Sequence, residues 1–440
     1  MRRRWTGHGG HLRAGLSFMP VELDAATPDL ARFVKAGDTV CWGQAAAEPL
    51  TLTRALMAQR AAIGGFTAFI GVSWSDTVDV AFTDHVRFVS YCGTGLNRHL
   101  AAADRLDILP VHYSTLGDVL SQSVDVLMLQ LTPPDHEGRY GFALACEYLA
   151  PLVERARIVI AEVNEDAPAI PCAQTLGPDD IDAVVHTARP LSEPPSISTG
   201  ETEARIAAHV AALVEDRAVL QVGLGALPDR IARQLSGHRD LGIHTGLIND
   251  GLGYLIERGA VTNAFKTRDA GISVTGLVAG TRRLTRLLHR NPSVRLAPTS
   301  YTHDPTVLAG MNRFTAINSA VEVDLTGQVN AEVAAGRYVG AVGGAADFLR
   351  GAARSLRGLP IIALPATARG PNGPVSRIVA RLDGPVSTAR SDAGVFVTEY
   401  GAADLRGLSL AQRVSRMVEI AAPQFREELE RDAFASLRAR

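Results

Sequence analysis

Lysine is nearly missing from this chain: Lys35 and Lys266 are the only two among 440 residues, so arginine carries almost all other permanent positive charge. Acidic and basic side chains almost cancel, leaving a formal net charge of -2. That balance provides no electrostatic footprint for nucleic acid or an anionic membrane, and neither is expected as a partner. Cysteine is sparse as well. Cys41, Cys92, Cys146 and Cys172 are widely spaced, with no C-x-x-C and no neighbouring histidine cluster, which argues against a zinc site, any other metal centre or a disulfide framework. They read as reduced core residues. The longest apolar runs, such as Val126 to Leu129 and Ile158 to Ala161, fall well short of the roughly 20 residues a membrane helix needs. Met1 to Leu16 holds four arginines but no apolar stretch behind them, so residues 1–18 read as a basic tail and not as a secretory signal. The expectation is a soluble cytoplasmic protein that handles small molecules.

What is present is a globular composition, 46% hydrophobic and 20% charged, over a length that suits two cores. Short β-rich runs (Asp38 to Trp42, Phe69 to Ser73, Val124 to Leu129, Arg157 to Val163) alternate with amphipathic segments such as Glu48 to Ala62. Nearly unbroken apolar strands separated by helices point to open, mostly parallel α/β sheets covered on both faces. Thr187 to Gly200 breaks both periodicities with three prolines and several Ser/Thr residues. The domains are accordingly expected at 19–190 and 201–440, with a linker at 191–200. Glu162 and Asn164 close a strand at an edge where ligands bind in such folds, and could equally hold a neighbouring loop. Glu399 reads as a buried strand acid paired with Arg377 or Arg406, and Glu322, Asp324 and Glu332 as hairpin residues around Thr326-Gly327-Gln328.

Two glycine-rich turns stand out. The strand Ala218 to Val222 runs into Gly223-Leu224-Gly225-Ala226 and a helix opened by Pro228, aiming backbone N–H groups and a helix dipole at a crevice. Gly340-Ala341-Val342-Gly343-Gly344 precedes a second helix, and such N–H groups can form an oxyanion hole. Each turn also fits a plain strand-to-helix connection.

Further segments carry a resemblance: Trp42-Gly43-Gln44, Gln130-Leu131-Thr132-Pro133-Pro134-Asp135, Gly242-Ile243-His244-Thr245-Gly246, Ile317 to Glu332, Gly343 to Gly351 and Val397 to Gly407. In this order they resemble the acetyl-CoA hydrolase/CoA-transferase family, which includes 4-hydroxybutyrate and butyrate CoA-transferases. The resemblance implies two α/β domains with the active site between them, commonly in a homodimer, and coenzyme A, as acyl-CoA, for a substrate. It places the CoA loop on Val222, Gly223, Leu224, Gly225 and Ala226, the second loop on Gly340, Gly343 and Gly344, and an oxyanion-donating N–H on Gly344. The family motif reads G-I-H-T/S-E, and its glutamate is the nucleophile of a ping-pong CoA transfer.

Here that position is Gly246, which has no group able to form an anhydride. His244, Thr245, Asp250 and Gly251 fix the register, and the nearest acids are Asp250 and Glu257. The lost side chain is expected to leave room for a second substrate or a water, with His244 as a possible base. Three readings stay open. The first is direct acyl transfer or hydrolysis without a covalent intermediate. The second is CoA transfer through another carboxylate, such as Asp250 or Glu162. The third is a non-catalytic CoA- or partner-binding role.

Overall fold

The structure, a computed structural model, describes residues 19–195 and 200–438. The tail expected at 1–18 and residues 196–199 of the expected linker lie outside the described residues. Eight strands between Val21 and Thr187 form the first sheet: β1 (Val21–Glu22), β2 (Thr39–Trp42), β3 (Phe66–Ile70), β4 (Val86–Ser90), β5 (Leu106–Ile108), β6 (Val126–Leu131), β7 (Ile158–Asn164) and β8 (Ala183–Thr187). Their order is β1-β8-β7-β6-β2-β3-β4-β5, with every pairing parallel. β6 is buried along its whole length, as a strand covered on both faces must be.

The second sheet repeats the plan. It comprises β9 (Val219–Val222), β10 (Gly242–Ile248), β11 (Ser273–Val278), β12 (Val294–Leu296), β13 (Phe314–Asn318), β14 (Leu359–Ala363), β15 (Val395–Thr398) and β16 (Gly401–Asp404). The order β12-β11-β10-β9-β13-β14-β15-β16 is parallel except for the last, antiparallel pair. In each sheet the chain winds outward from a central strand, β2 or β9, to one edge and then returns to the other side of that strand; in the first sheet β1 forms the opposite edge, beside β8. The reversals fall between β2 and β6 and between β9 and β13, and an open α/β sheet binds ligands just beyond the carboxyl ends of such strands.

The sheets are stitched together by a strap from the first lobe. Residues 144–147 run along β11: Val278 N–H donates to Leu144 O at 2.8 Å, Cys146 N–H to Gly276 O at 3.0 Å, and Thr299 N–H to Glu147 O at 3.2 Å. One hydrophobic core takes in buried residues of both lobes, including Leu144, Ala145, Leu277 and Val278. A second stitch joins the loop before the helix Ala345–Arg354 to the first lobe. Gly93 N–H donates to Gly340 O at 2.8 Å, Tyr113 N–H to Gly343 O at 3.0 Å, and Ser114 Oγ to Asp347 Oδ1 at 2.9 Å.

Several local expectations shift. The helix that opens the second lobe spans Glu201–Leu213, because Val214 is already extended. The helix after β9 begins at Ala226, so Pro228 is its third residue and Gly225, at φ 126°, makes the turn. Glu322, Asp324 and their turn do form a hairpin, with Val323 opposite Val329. Glu399 accepts from Ala366 N–H at 2.8 Å and is the opposing charge acting on the buried Arg377, whose guanidinium donates to the carbonyls of Ala320 and Val321, whereas Arg406 pairs with Asp404. Glu162 is fully buried and serves the fold: it takes hydrogen bonds from Thr51 N–H and Thr187 Oγ1 and an ion pair from Arg189, while Asn164 donates to Gln130 and Arg189 O. Removing one partner of such a buried pair leaves an uncompensated charge. An Arg189→Met variant is therefore expected to lose about 3 kcal/mol of stability, measured by urea unfolding; unchanged stability would contradict this role for Arg189.

Candidate active site

The two strand reversals face one another across an interlobe cavity of about 360 Å³. From the second lobe it is lined by Gln221 to Leu224 at the end of β9, Gly246 and Leu247 of β10, and Asn318 to Val321 after β13. The first lobe contributes Gln44 and Ala45 after β2, with Trp74, Tyr91, Tyr113 and Glu147. Gln221 and Asn318 brace the second reversal through paired amide hydrogen bonds of 3.2 and 2.9 Å.

At its centre is Glu147, the one carboxylate that lines the cavity among the described residues and only 2% exposed. Tyr113 Oη donates to its Oε2 at 2.7 Å, and Gln44 Nε2 lies 2.9 and 3.0 Å from Oε1 and Oε2. Gln44 has no freedom to flip, because its Oε1 already accepts from Val72 N–H at 3.0 Å and from Tyr91 Oη at 2.8 Å. Burial pushes the Glu147 carboxyl up to about 7, against the lowering pull of Tyr113 and Gln44. A carboxylate offers about four lone-pair sites, so one on Oε1 remains for an incoming proton donor.

Gly246 sits next to this group. A Cβ on Gly276 would touch both Glu147 Cβ and Gly246 O at 3.3 Å, so the glycine at 276 is what lets Glu147 lie against β10. The space beside Gly246 is not the open hole expected from the sequence. A Cβ there would stand 3.0 Å from His303 Cε1 and 3.1 Å from Nε2, and one on Gly344 would stand 2.5 Å from the same Nε2. The His303 ring thus covers both glycines and packs against Phe348, with centroids 4.3 Å apart. Burial and the nearby His244 hold His303 far below its usual range, at about 3, so it is a neutral imidazole whose Nδ1 meets Thr302 Oγ1 at 2.9 Å.

His244 itself lies outside the cavity lining. It is fully buried, its Nε2 engages Thr302 O at 3.2 Å, its Nδ1 has no partner, and burial depresses its pKa to about 3. That placement does not suit a base for substrate, and the reading of His244 is corrected. Asp250 is turned away onto Thr281, with its Oδ1 2.7 Å from Thr281 Oγ1, and Glu257 pairs with Arg283 on the surface. β10 continues to Ile248 and Asn249 caps the following helix, which is why Asp250 cannot return to the level of Gly246.

The expected loops divide in the same way. Val222, Gly223 and Leu224 line the cavity, whereas Gly225 and Ala226 turn the chain behind them. Gly223 N–H is already committed to Ile317 O at 2.9 Å. Gly340 lines the cavity, but its N–H donates to Glu332 O at 3.0 Å and its carbonyl accepts from Gly93, so it has no N–H free for CoA. Its glycine is required because a Cβ would collide with Ala331 O. Gly343 has φ 54° and commits its carbonyl to Tyr113. Gly344 heads the helix Ala345–Arg354, and no acceptor for its N–H occurs among the described residues. A helix start carries partial positive charge and suits a developing oxyanion. Among the described residues no group of acids, cysteines and histidines could hold a metal ion.

Paired open sheets with reversals facing a buried carboxylate define a two-lobed α/β enzyme. The acetyl-CoA hydrolase/transferase N-terminal domain model matches residues 25–186 and the corresponding C-terminal domain model residues 280–433. The chain is 34% identical over 397 residues to a 4-hydroxybutyrate coenzyme A transferase of Clostridium kluyveri, covering 89% of this chain and 92% of that protein. RipA from Yersinia pestis matches with a TM-score of 0.87 and 33% identity, over 92% of this chain and 96% of that one. A 4-hydroxybutyrate CoA-transferase from Porphyromonas gingivalis matches with a TM-score of 0.78 and 30% identity, over 94% and 98%. The chain belongs to the acetyl-CoA hydrolase/transferase family and is an enzyme of that family.

Glu147 and His303 carried no motif: the first is one acid in the apolar run Phe142 to Leu152, the second one of 12 histidines. The available signal was that an acid inside an apolar run needs buried partners. The crowding at residue 246 is directly measurable. Gly246→Ala is expected to cost about 1 kcal/mol in otherwise intact protein and distinctly less in a His303→Ala background, a coupling of at least about 0.5 kcal/mol in a double-mutant unfolding cycle. Strict additivity would show that His303 does not press on this position.

Proposed function

We propose that this protein moves the acyl group of an acyl-CoA directly to an external nucleophile or to water, with Glu147 as general base and no covalent intermediate at residue 246. The observation that carries the reading is the pairing of a side-chain-free Gly246 with a buried carboxylate beside it in the same cavity. The thioester carbonyl oxygen is assigned to Gly344 N–H at the helix start, and the nucleophile to the free lone pair of Glu147 Oε1. Glu147 takes the proton as the nucleophile adds to the carbonyl carbon. The tetrahedral oxyanion then collapses, the C–S bond breaks, and the CoA thiolate recovers a proton from Glu147. A base with pKa near 7 is well matched to this at neutral pH. Val222 to Leu224 are assigned to the CoA arm, and a homodimer is the assembly in keeping with the family resemblance.

A second reading, CoA transfer through an anhydride on Glu147, is favoured by the same proximity to Gly246. The base reading is preferred because Glu147 is only 2% exposed and held on both oxygens by Tyr113 and Gln44, so that a proton reaches its free Oε1 lone pair more readily than an acyl carbon does.

Release of CoA thiol from a panel of acyl-CoAs tests the proposal. Glu147→Gln is expected to lower kcat by about 10²–10⁴-fold, and wild-type kcat/KM is expected to rise with pH through about 7, since the base is the ionised form. A fully active variant, or a flat wild-type profile across that pH, would sink the assignment of Glu147.

A further inference from the structure

The charge and aromatic content of the cavity bear on which nucleophile enters. Among the described residues no arginine or lysine lines it; its ionisable side chains are Tyr91, Tyr113, Glu147 and His303. The tyrosines are held neutral by burial and His303 is a neutral imidazole, so formal charge in the cavity is confined to Glu147. Aromatic rings form a continuous wall beside it. Tyr91 and Tyr113 have centroids 5.1 Å apart, Tyr113 and His303 5.1 Å, and His303 and Phe348 4.3 Å, while Trp74 supplies a further indole.

This lining discriminates between acceptors. A carboxylate would give up its hydration with no cation to replace it and would meet the like charge of Glu147. An organic ammonium would gain both a carboxylate partner and electron-rich ring faces, the combination that recognises ammonium groups elsewhere. We propose that the acceptor is a primary amine, admitted as its ammonium ion and held by Glu147 and the aromatic wall. The inference rests on the direct-transfer reading above. Glu147 carboxylate removes one ammonium proton, and the amine lone pair forms the C–N bond. After the C–S bond breaks, the thiolate takes that proton back from Glu147, and the second nitrogen proton leaves to solvent. An acyl-CoA and an alkylammonium thus give an amide, CoA thiol and one proton, with no redox change.

Binding is tested by titration calorimetry of the purified protein with n-butylammonium and, separately, n-butyrate. The ammonium is expected to bind and butyrate not. Trp74→Leu, which leaves the Glu147 hydrogen bonds untouched, is expected to weaken ammonium binding about three- to tenfold, and Glu147→Gln to abolish it. No ammonium binding to wild type, or tighter binding of butyrate, overturns the proposal. Products are tested by mass spectrometry with butyryl-CoA and either n-butylamine, n-butanol or acetate. N-butylbutyramide supports the proposal. Butyric acid formed at one rate with or without the amine overturns it while leaving direct transfer to water intact, and acetyl-CoA appearing in the acetate tubes overturns both readings.

Discussion

The site depends on one immobilised amide. Val72 N–H can only donate, and so can Tyr91 Oη towards an oxygen that already serves an N–H, so Gln44 Oε1 faces them and Gln44 Nε2 faces Glu147 and Tyr113. This orientation ties the first strand reversal, where Gln44 follows β2, to the strap that brings Glu147 across to β11. Without it, a carboxylate that is 2% exposed would be left with Tyr113 as its one donor among these residues, and its ionised form would be still harder to sustain. The clamp therefore sets both where the acid stands and how strongly it holds its proton.

Around that clamp, glycines decide what may touch what. Gly276 lets Glu147 approach β10, Gly246 and Gly344 let the His303 ring lie over both chains, and Gly340 lets the loop pass against Ala331. The result is a cavity closed by backbone and rings, where burial and not an opposing ion pair shapes the titration of Glu147 and His303. The His303 ring packs over Gly246, and the one carboxylate in the cavity lining among the described residues, Glu147, comes from the first lobe.

Much of the architecture was legible because it is written in short-range patterns. Nearly continuous apolar strands such as Val126–Leu131, and the glycine turns after Val222 and before Ala345, announce parallel sheets and their ligand edges. The site was legible only in part. Gly246 and Gly344 line the cavity, but His244 lies outside the lining with its Nε2 on Thr302 O, and Gly340 gives its N–H to Glu332. Glu147 and His303 were hidden because their role comes from tertiary placement: the strap at 144–147 pairs with β11 more than 120 residues later, and His303 acquires its neighbours only when the helix at Ala345 docks. Local periodicity cannot encode a contact between lobes.

The central claim is that acyl transfer in this cavity involves no covalent enzyme intermediate. Rapid-quench intact-protein mass spectrometry during steady-state turnover of an acyl-CoA tests it most directly. The account predicts unmodified protein at every time point while free CoA accumulates. A transient mass increase equal to an acyl group or to CoA, mapped to Glu147, would contradict it and establish the carboxylate as the nucleophile.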